Sequence, residues 1–265
     1  MKKFVVREYK ICSPKIKKNL TAVFLADLHS YVYGEQNCKL IQAVDKKKPD
    51  LIFCAGDMMI AKKETSDEAA LSLMMRLAEK YPVYYGLGNH EYRMKLYRDV
   101  YGNRYDRYAS QLKRNHVIML DNERIFNEEW NLNIAGLSID REYYKRFRKT
   151  PMSPDYVKRE IGRPDKESFQ ILIAHNPEYY DIYDSWGADL VLSGHVHGGV
   201  VRLPLLGGVV SPRLTLFPKY DGGEFQGNNG KMILSRGLGT HTIPIRVFNP
   251  PELIVLQLAK SEDCL

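Results

Sequence analysis

No apolar run in this chain is long enough to cross a bilayer, so no integral membrane segment is expected. The opening stretch, MKKFVVREYKICSPKIKK, carries two early lysines, but Arg7, Glu8 and Lys10 interrupt the apolar core that a signal peptide needs. Cysteine is scarce. The four present, Cys12, Cys38, Cys54 and Cys264, form no close pair and no C-x-x-C, so reduced thiols in a cytoplasmic protein are expected. No repeat, low-complexity linker or break in composition marks a second domain, which leaves one domain over residues 1–265 as the expectation. Acidic residues do not predominate either. Lys and Arg number 39 against 32 Asp and Glu, and the resulting charge of +7 favours anionic ligands while saying nothing about fold.

What is present is ordinary for a globular protein: 44% apolar and 27% charged residues over 265 positions, enough for one large domain with a substantial core. Strand-like and helix-like segments alternate. FVVREYKI, LTAVFLAD, DLIFCAGD, PVYYGLGNH, HVIML, WNLNIAGLSI, SFQILIAH and ADLVLSGH are short apolar or alternating runs that predict strands. Between them, NCKLIQAVDKK, SDEAALSLMMRLAEKY with a Ser cap, MKLYRDVYGNRYDRYASQLKRN broken near Gly102, and PEYYDIYDSWG predict helices. Residues 141–166 predict a loop with a short helix. KMILSRGLG and PELIVLQL predict closing strands, and the β-rich last third suggests a second sheet packed on the first. The alternation points to an α/β fold.

Polar residues fall where the buried strands stop. LTAVFLAD runs into Asp27 and His29, LIFCAG into Asp57, VYYGLG into Asn89, His90 and Glu91, ILIA into His175, and LVLS into His195 and His197. In open α/β sheets ligands sit beyond the carboxyl ends of the strands, so groups distant in sequence can converge there. His195 and His197 alternate in an extended segment and can reach one site from one side. With His90 set aside, seven candidate metal ligands remain: Asp27, His29, Asp57, Asn89, His175, His195 and His197. The set is too large for one tetrahedral ion and holds no thiolate, so a structural zinc site is disfavoured. Mixed nitrogen and oxygen donors suit two divalent first-row ions among Mn, Fe, Co, Ni and Zn, with Mn the ion expected to serve in an assay. Such a pair is a clamp for phosphoester hydrolysis.

The blocks DLH, GD, GNHE, a lone His after a strand, and GHVH stand in the order seen in the calcineurin-like metallophosphoesterases, which this sequence resembles over residues 27–197. GHVHGGVVRLP and SRGLGTHTIPIRVFNPPELIVLQL look like a bacterial phosphodiesterase-type subgroup whose members often begin with an export or membrane segment; no such segment is recognised here. The resemblance implies a four-layer α/β/β/α sandwich with mixed sheets and a dinuclear site at the strand ends. It also implies roles. Asp27, His29 and His197 would hold one metal, Asn89, His175 and His195 the other, and Asp57 would bridge both. His90 would lie beside the substrate phosphate as the catalytic residue, and Glu91 would be a supporting acid. A hydroxide bridging the ions would attack phosphorus, while His90 stabilises developing charge or protonates the leaving oxygen.

Alternatives stay open at this point. The same site could serve a phosphomonoesterase or a nuclease, with the basic, aromatic REYYKRFRK (141–149) contacting phosphates and bases. A small phosphoester is the favoured substrate over nucleic acid. A non-catalytic scaffold is disfavoured because no ligand position is lost. The apolar VVRLPLLGGVVSPRLTLFP (200–218) reads as core strand plus turn ahead of a lip for a greasy substrate or membrane contact. His116 fits no block and reads as structural. His241 reads as a surface residue ahead of one near the active face.

Overall fold

The computed structural model describes residues 3–145, 149–199, 201–203, 207–210, 218–240 and 246–264. The elements run β1 (Val5–Cys12), β2 (Leu20–Leu25), α1 (Cys38–Lys47), β3 (Leu51–Cys54), α2 (Glu68–Ala78), β4 (Val83–Gly86), α3 (Asn89–Leu96), α4 (Arg98–Tyr101), α5 (Arg104–Arg114) and β5 (Val117–Leu120). They continue with β6 (Glu123–Asn127), β7 (Leu132–Leu137), α6 (Tyr156–Ile161), β8 (Phe169–Ala174), α7 (Tyr180–Trp186) and β9 (Leu190–Ser193). A hairpin of β10 (Val201–Leu203) and β11 (Gly207–Val210), then β12 (Gly223–Gln226), β13 (Lys231–Leu234) and β14 (Glu252–Ala259), complete the described strands.

Two six-stranded mixed sheets result, ordered β1-β14-β2-β3-β4-β5 and β12-β13-β9-β8-β7-β6. In the first, β14 runs parallel to β1 and antiparallel to β2, and β2 to β5 are parallel. In the second, β13, β9, β8 and β7 are parallel, with β12 and β6 antiparallel at the edges. Successive side chains on a strand face opposite ways, and the buried runs use both faces. Ala22 and Phe24 of β2 pack inward with Leu51, Phe53, Ile171, Leu192 and Ile254 in the layer between the sheets. Val23 and Leu25 face outward onto Leu40 of α1, Leu73 of α2 and Leu112 of α5. On the far side, Leu172 and Val191 meet Val157 of α6 and Tyr183 of α7. Three apolar layers thus separate four structural ones, as expected. Each fully buried Leu, Ile or Phe contributes about 1.5–3 kcal/mol.

Three expectations need correction. The last third does not form the second sheet by itself: β10 and β11 pair as a separate hairpin, β12 and β13 join the second sheet, and β14 returns between β1 and β2. β13 and β14 are buried along nearly their whole length and so fit interior positions. Cys12 and Cys264 are not both reduced: they form a disulfide, their Cα atoms 6.3 Å apart, while Cys38 and Cys54 are free thiols. The parallel pairing of β1 with β14 carries the two chain ends to one place, which sequence spacing hides. Ser66 stands one residue outside the helix boundary, where its hydroxyl accepts the Glu68 amide at 3.1 Å; Asp67 is the first flanking residue of α2. Gly102, at φ +59°, does break α4 from α5. His116 is exposed between α5 and β5. His241, residues 146–148 of the basic stretch, and much of 200–218 lie outside the described residues. Among the described residues, no helix is long and apolar enough to cross a membrane.

Candidate functional site

The candidate residues follow the ends of β2, β3 and β4 in one sheet and of β8 and β9 in the other, in turns except for Asn89, His90 and Glu91, which open α3. The turns are stitched across strands. The Asp27 amide donates to the Gly56 carbonyl at 3.0 Å, His29 N to Asp57 O at 3.0 Å, and Gly194 N to His175 O at 3.1 Å. Asp27, His29, Asp57, His195 and His197, five of the seven candidate ligands, have φ between +48° and +75°. That left-handed backbone turns each side chain back over its strand end. Two neighbours must be glycine for this to fit. A Cβ on Gly88 would lie 2.2 Å from Asp57 Oδ1, and one on Gly194 would lie 2.4 Å from Asp27 Oδ2.

The side chains converge on two clusters, joined by a third grouping of His29, Asp57 and His90 that shares a residue with each. Asp27, His29 and His197 form one, with His29 Nε2 3.0 Å from His197 Nε2 and His197 Nε2 3.4 Å from Asp27 Oδ1. Asp57, His175 and His195 form the other, with His175 Nε2 3.1 Å from Asp57 Oδ2. Asp57 Oδ2 also lies 4.0 Å from His29 Nε2, so this carboxylate stands between the clusters. Asp27 helps to knit the sheets, its two oxygens accepting the His195 amide at 3.1 and 3.0 Å.

Several ring nitrogens have their protons assigned by fixed partners. His175 Nδ1 is 2.6 Å from the Ala55 carbonyl, which can only accept, so Nδ1 is the donor and Nε2 turns into the site. That Nε2, although buried, makes no hydrogen bond of good geometry, and neither does the buried Asn89 Oδ1. His175 Nε2 lies beside the Asp57 carboxylate, and Asn89 opens α3 next to His90. His90 is the reverse case. Its Nδ1 accepts the Ala61 amide at 2.8 Å, which leaves the proton of the neutral ring on Nε2, 3.9 Å from Asp57 Oδ2. An N–H there can hydrogen-bond an anion but offers no lone pair to a cation.

Glu91 lies beneath the turn. Its carboxylate accepts the amides of Asp57 at 2.9 Å, Met58 at 2.9 Å and Gly88 at 3.2 Å, and the Tyr85 hydroxyl at 2.7 Å. It holds Asp57 in place without facing the clusters. Burial and the Asp57 charge raise its carboxyl to about 7. Burial also pushes the Asp57 carboxyl up, but His175 and His90 beside it prevail and hold it well below the usual carboxylate range. Burial pulls the His175 imidazole down, and the Asp57 and Asp27 carboxylates more than offset that, raising it to about 9.

Three residues outside the candidate set also touch the site. Arg246 Nη2 stands 3.3 Å from His197 Nδ1 and donates to the Gly237 carbonyl at 3.4 Å, while Asn249 donates to the His197 carbonyl at 2.6 Å. The Tyr144 ring meets the His195 ring edge-on at 5.3 Å. Arg246 and Asn249 fall within SRGLGTHTIPIRVFNPPELIVLQL and Tyr144 within REYYKRFRK, but nothing in those stretches marks these three as neighbours of the histidines.

The donor set fits divalent metal. Two carboxylates, Asp27 and Asp57, group with the imidazoles of His29, His90, His175, His195 and His197, a mixed oxygen and nitrogen set that suits a divalent ion.

The sequence model of a family described as calcineurin-like phosphoesterases matches residues 20–199. An uncharacterised metallophosphoesterase of Campylobacter jejuni is 29% identical over 257 residues, an overlap of 92% of this chain and 60% of the relative. This chain therefore spans less than two thirds of that relative's length. The phosphodiesterase YaeI of Escherichia coli is 25% identical over 238 residues, covering 89% of this chain and 81% of YaeI. Among solved structures, the NAD nucleotidase of Haemophilus influenzae aligns at a TM-score of 0.44 and 17% identity, over 83% of this chain and 51% of the nucleotidase.

Proposed function

Because this chain belongs to the calcineurin-like phosphoesterase family, we propose that it is a phosphodiesterase that works through a dinuclear metal centre. The observation that carries the dinuclear reading is Asp57, whose carboxylate stands between two clusters of donors. In this reading Asp27, His29 and His197 hold one ion, Asn89, His175 and His195 the other, and Asp57 touches both. When bound, a pair of divalent ions supplies an activated water as nucleophile and neutralises charge on the phosphoryl oxygens. Mn, Fe, Zn, Co and Ni all suit the donors, and Mn is the ion for the assay.

The chain's own residues do the rest. His175, fixed through Nδ1 by Ala55, presents Nε2 without having to reorganise. Glu91 fixes the Asp57 turn through three amides. His90, with its proton on Nε2, donates a hydrogen bond to the phosphoryl or leaving oxygen as charge grows there. Removing one such donor costs about 10²–10³-fold in turnover. His90→Ala is therefore expected to lose about 10²-fold in kcat and to retain its metal, as read by steady-state kinetics beside elemental analysis. Wild-type turnover in that variant would remove His90 from the mechanism.

The diester preference is supported by similarity to a relative named as a phosphodiesterase. It is tested with the Mn²⁺-loaded protein on bis-p-nitrophenyl phosphate and on p-nitrophenyl phosphate, paired with metal analysis. Faster monoester hydrolysis would overturn the preference, and one ion per chain at full activity would overturn the dinuclear reading. The reading takes residues 1–265 as one domain, supported by the apolar layer that both sheets share. The Cys12–Cys264 disulfide weighs toward an oxidising compartment and against the cytoplasmic expectation.

A further inference from the structure

The amide that sets the His90 proton belongs to a segment with no regular structure of its own, between β3 and α2. Such a segment holds a hydrogen-bond donor in place only if something else holds the segment. One side chain does so. Arg104, the first residue of α5 and nearly buried, donates from Nε to Asp67 Oδ2 at 2.6 Å, from Nη1 to the Lys62 carbonyl at 2.5 Å, and from Nη2 to the carbonyls of Ile60 at 3.2 Å and Thr65 at 2.6 Å. Nη2 also pairs with Asp67 Oδ1. The guanidinium thus grips the carbonyls on both sides of Ala61, together with the residue that flanks α2. A second pin comes from the neighbouring helix: the Tyr101 hydroxyl donates to the Ala61 carbonyl at 3.0 Å.

We propose that Arg104 is the positioning residue of His90, acting through the clamped 60–67 segment and the Ala61 amide, with Tyr101 as its assistant. The proposal rests on the role proposed for His90 above. Arg104 itself meets neither substrate nor metal. A guanidinium suits the task because its planar fork offers five donors in fixed directions, whereas a lysine offers a point charge that cannot hold several carbonyls and a carboxylate in one plane. When the clamp is lost, the Ala61 amide is free to move off Nδ1. The His90 ring then loses the contact that keeps its proton on Nε2, the atom facing the site. Substrate binding through the metal ligands is untouched, so the loss falls on kcat and not on KM.

The test uses the full chain labelled with ¹⁵N-histidine. Long-range ¹H–¹⁵N spectra of the metal-free protein, recorded through a pH series up to the point where the His90 ring is neutral, report which ring nitrogen carries the proton, and His90→Gln identifies the His90 signals. Wild type is expected to show His90 protonated at Nε2. Arg104→Ala is expected to show a mixture of tautomers, with kcat of the Mn²⁺-loaded protein down about 10- to 100-fold and KM within about twofold. Because Arg104→Ala could fail to fold, Tyr101→Phe is made in parallel. It removes one hydrogen bond and is expected to lower kcat about 3- to 10-fold. In a His90→Gln background neither substitution should reduce kcat further, since residues that act through one group are not additive. Folded Arg104→Ala or Tyr101→Phe protein with the wild-type tautomer and wild-type kcat overturns the proposal, as does a multiplicative loss in the double variants. If His90→Gln alone keeps full turnover, the functional reading of His90 fails, and this proposal falls with it.

Discussion

Asp57 is held on every side by its neighbours. Its amide is gripped by Glu91, its Oδ1 accepts the His90 amide at 2.8 Å, its Oδ2 faces both clusters, and its backbone sits at φ +52°. Asn tolerates that backbone about as well as Asp, so Asp57→Asn removes charge and one strong donor while the turn remains. Two close cations repel, and an anionic bridge offsets part of that repulsion. Asp57→Asn is expected to remain folded by circular dichroism, to fall below two metal ions per chain and to lose activity. A folded variant with two ions and wild-type turnover would defeat the bridging role. His175 supplies a second expectation at this scale. Its value of about 9 in the metal-free fold lies above the 6.5 of a free imidazole. Protonated His175 therefore contributes stability to the metal-free protein that is fully present below about pH 6.5 and is lost as pH rises through about 9. A metal must displace that proton from Nε2, so metal affinity should climb with pH, by up to about tenfold per unit, until the ring is neutral. Titrating metal into unbuffered protein near pH 7 should acidify the solution. A titration with no proton release would contradict the assignment of His175 as a ligand.

At the scale of elements, a glycine in a strand-end turn and one between two helices allow a contrast. On Gly88 a Cβ would strike Asp57 Oδ1 at 2.2 Å and the Asp57 amide at 2.3 Å, so backbone at the site must shift. On Gly102 it would meet nothing within 4 Å, although φ is +59°. Gly88→Ala is expected to cost about 1–3 kcal/mol and to lose metal. Gly102→Ala should cost about 1 kcal/mol through backbone strain alone and keep its metal. Thermal melts and elemental analysis on the two proteins check this, and normal metal content in Gly88→Ala would refute it. The elements that carry the site were legible in sequence because each is a short buried run halted by polar residues, as LIFCAG is by Asp57. The elements that were missed lack that contrast. β6, ERIFN, is an edge strand whose Ile125 and Phe126 are exposed, so it shows neither a buried run nor a clear alternation. β12 is exposed or half-buried along its length. PELIVLQL was legible as a strand, but its neighbours were not, since any sheet would accept so apolar a segment. Arg104 was likewise invisible as a positioning residue, because its partners are mostly backbone carbonyls, which every residue possesses.

Across the whole molecule, the Cys12–Cys264 bond joins positions 252 residues apart. Closing so long a loop restricts the unfolded chain and contributes up to about 5 kcal/mol. Thiol titration of denatured, unreduced protein should count two free groups, and four after reduction, with a lower melting temperature in the reduced state. Four free thiols before reduction would exclude the bond. The same corner of the molecule imposes an order of events during synthesis. β14 separates β1 from β2, so these two strands have no direct pairing with each other. At about 5–20 residues per second, β2 waits on the order of 10–50 s for the neighbour that covers its flank, and β1 waits longer still. Through that interval the half of the molecule bearing Asp27, His29, Asp57 and Asn89 carries an open edge able to recruit any passing strand. A nascent chain released before residue 252 lacks the strand that covers the β2 edge of the sheet bearing these candidate ligands.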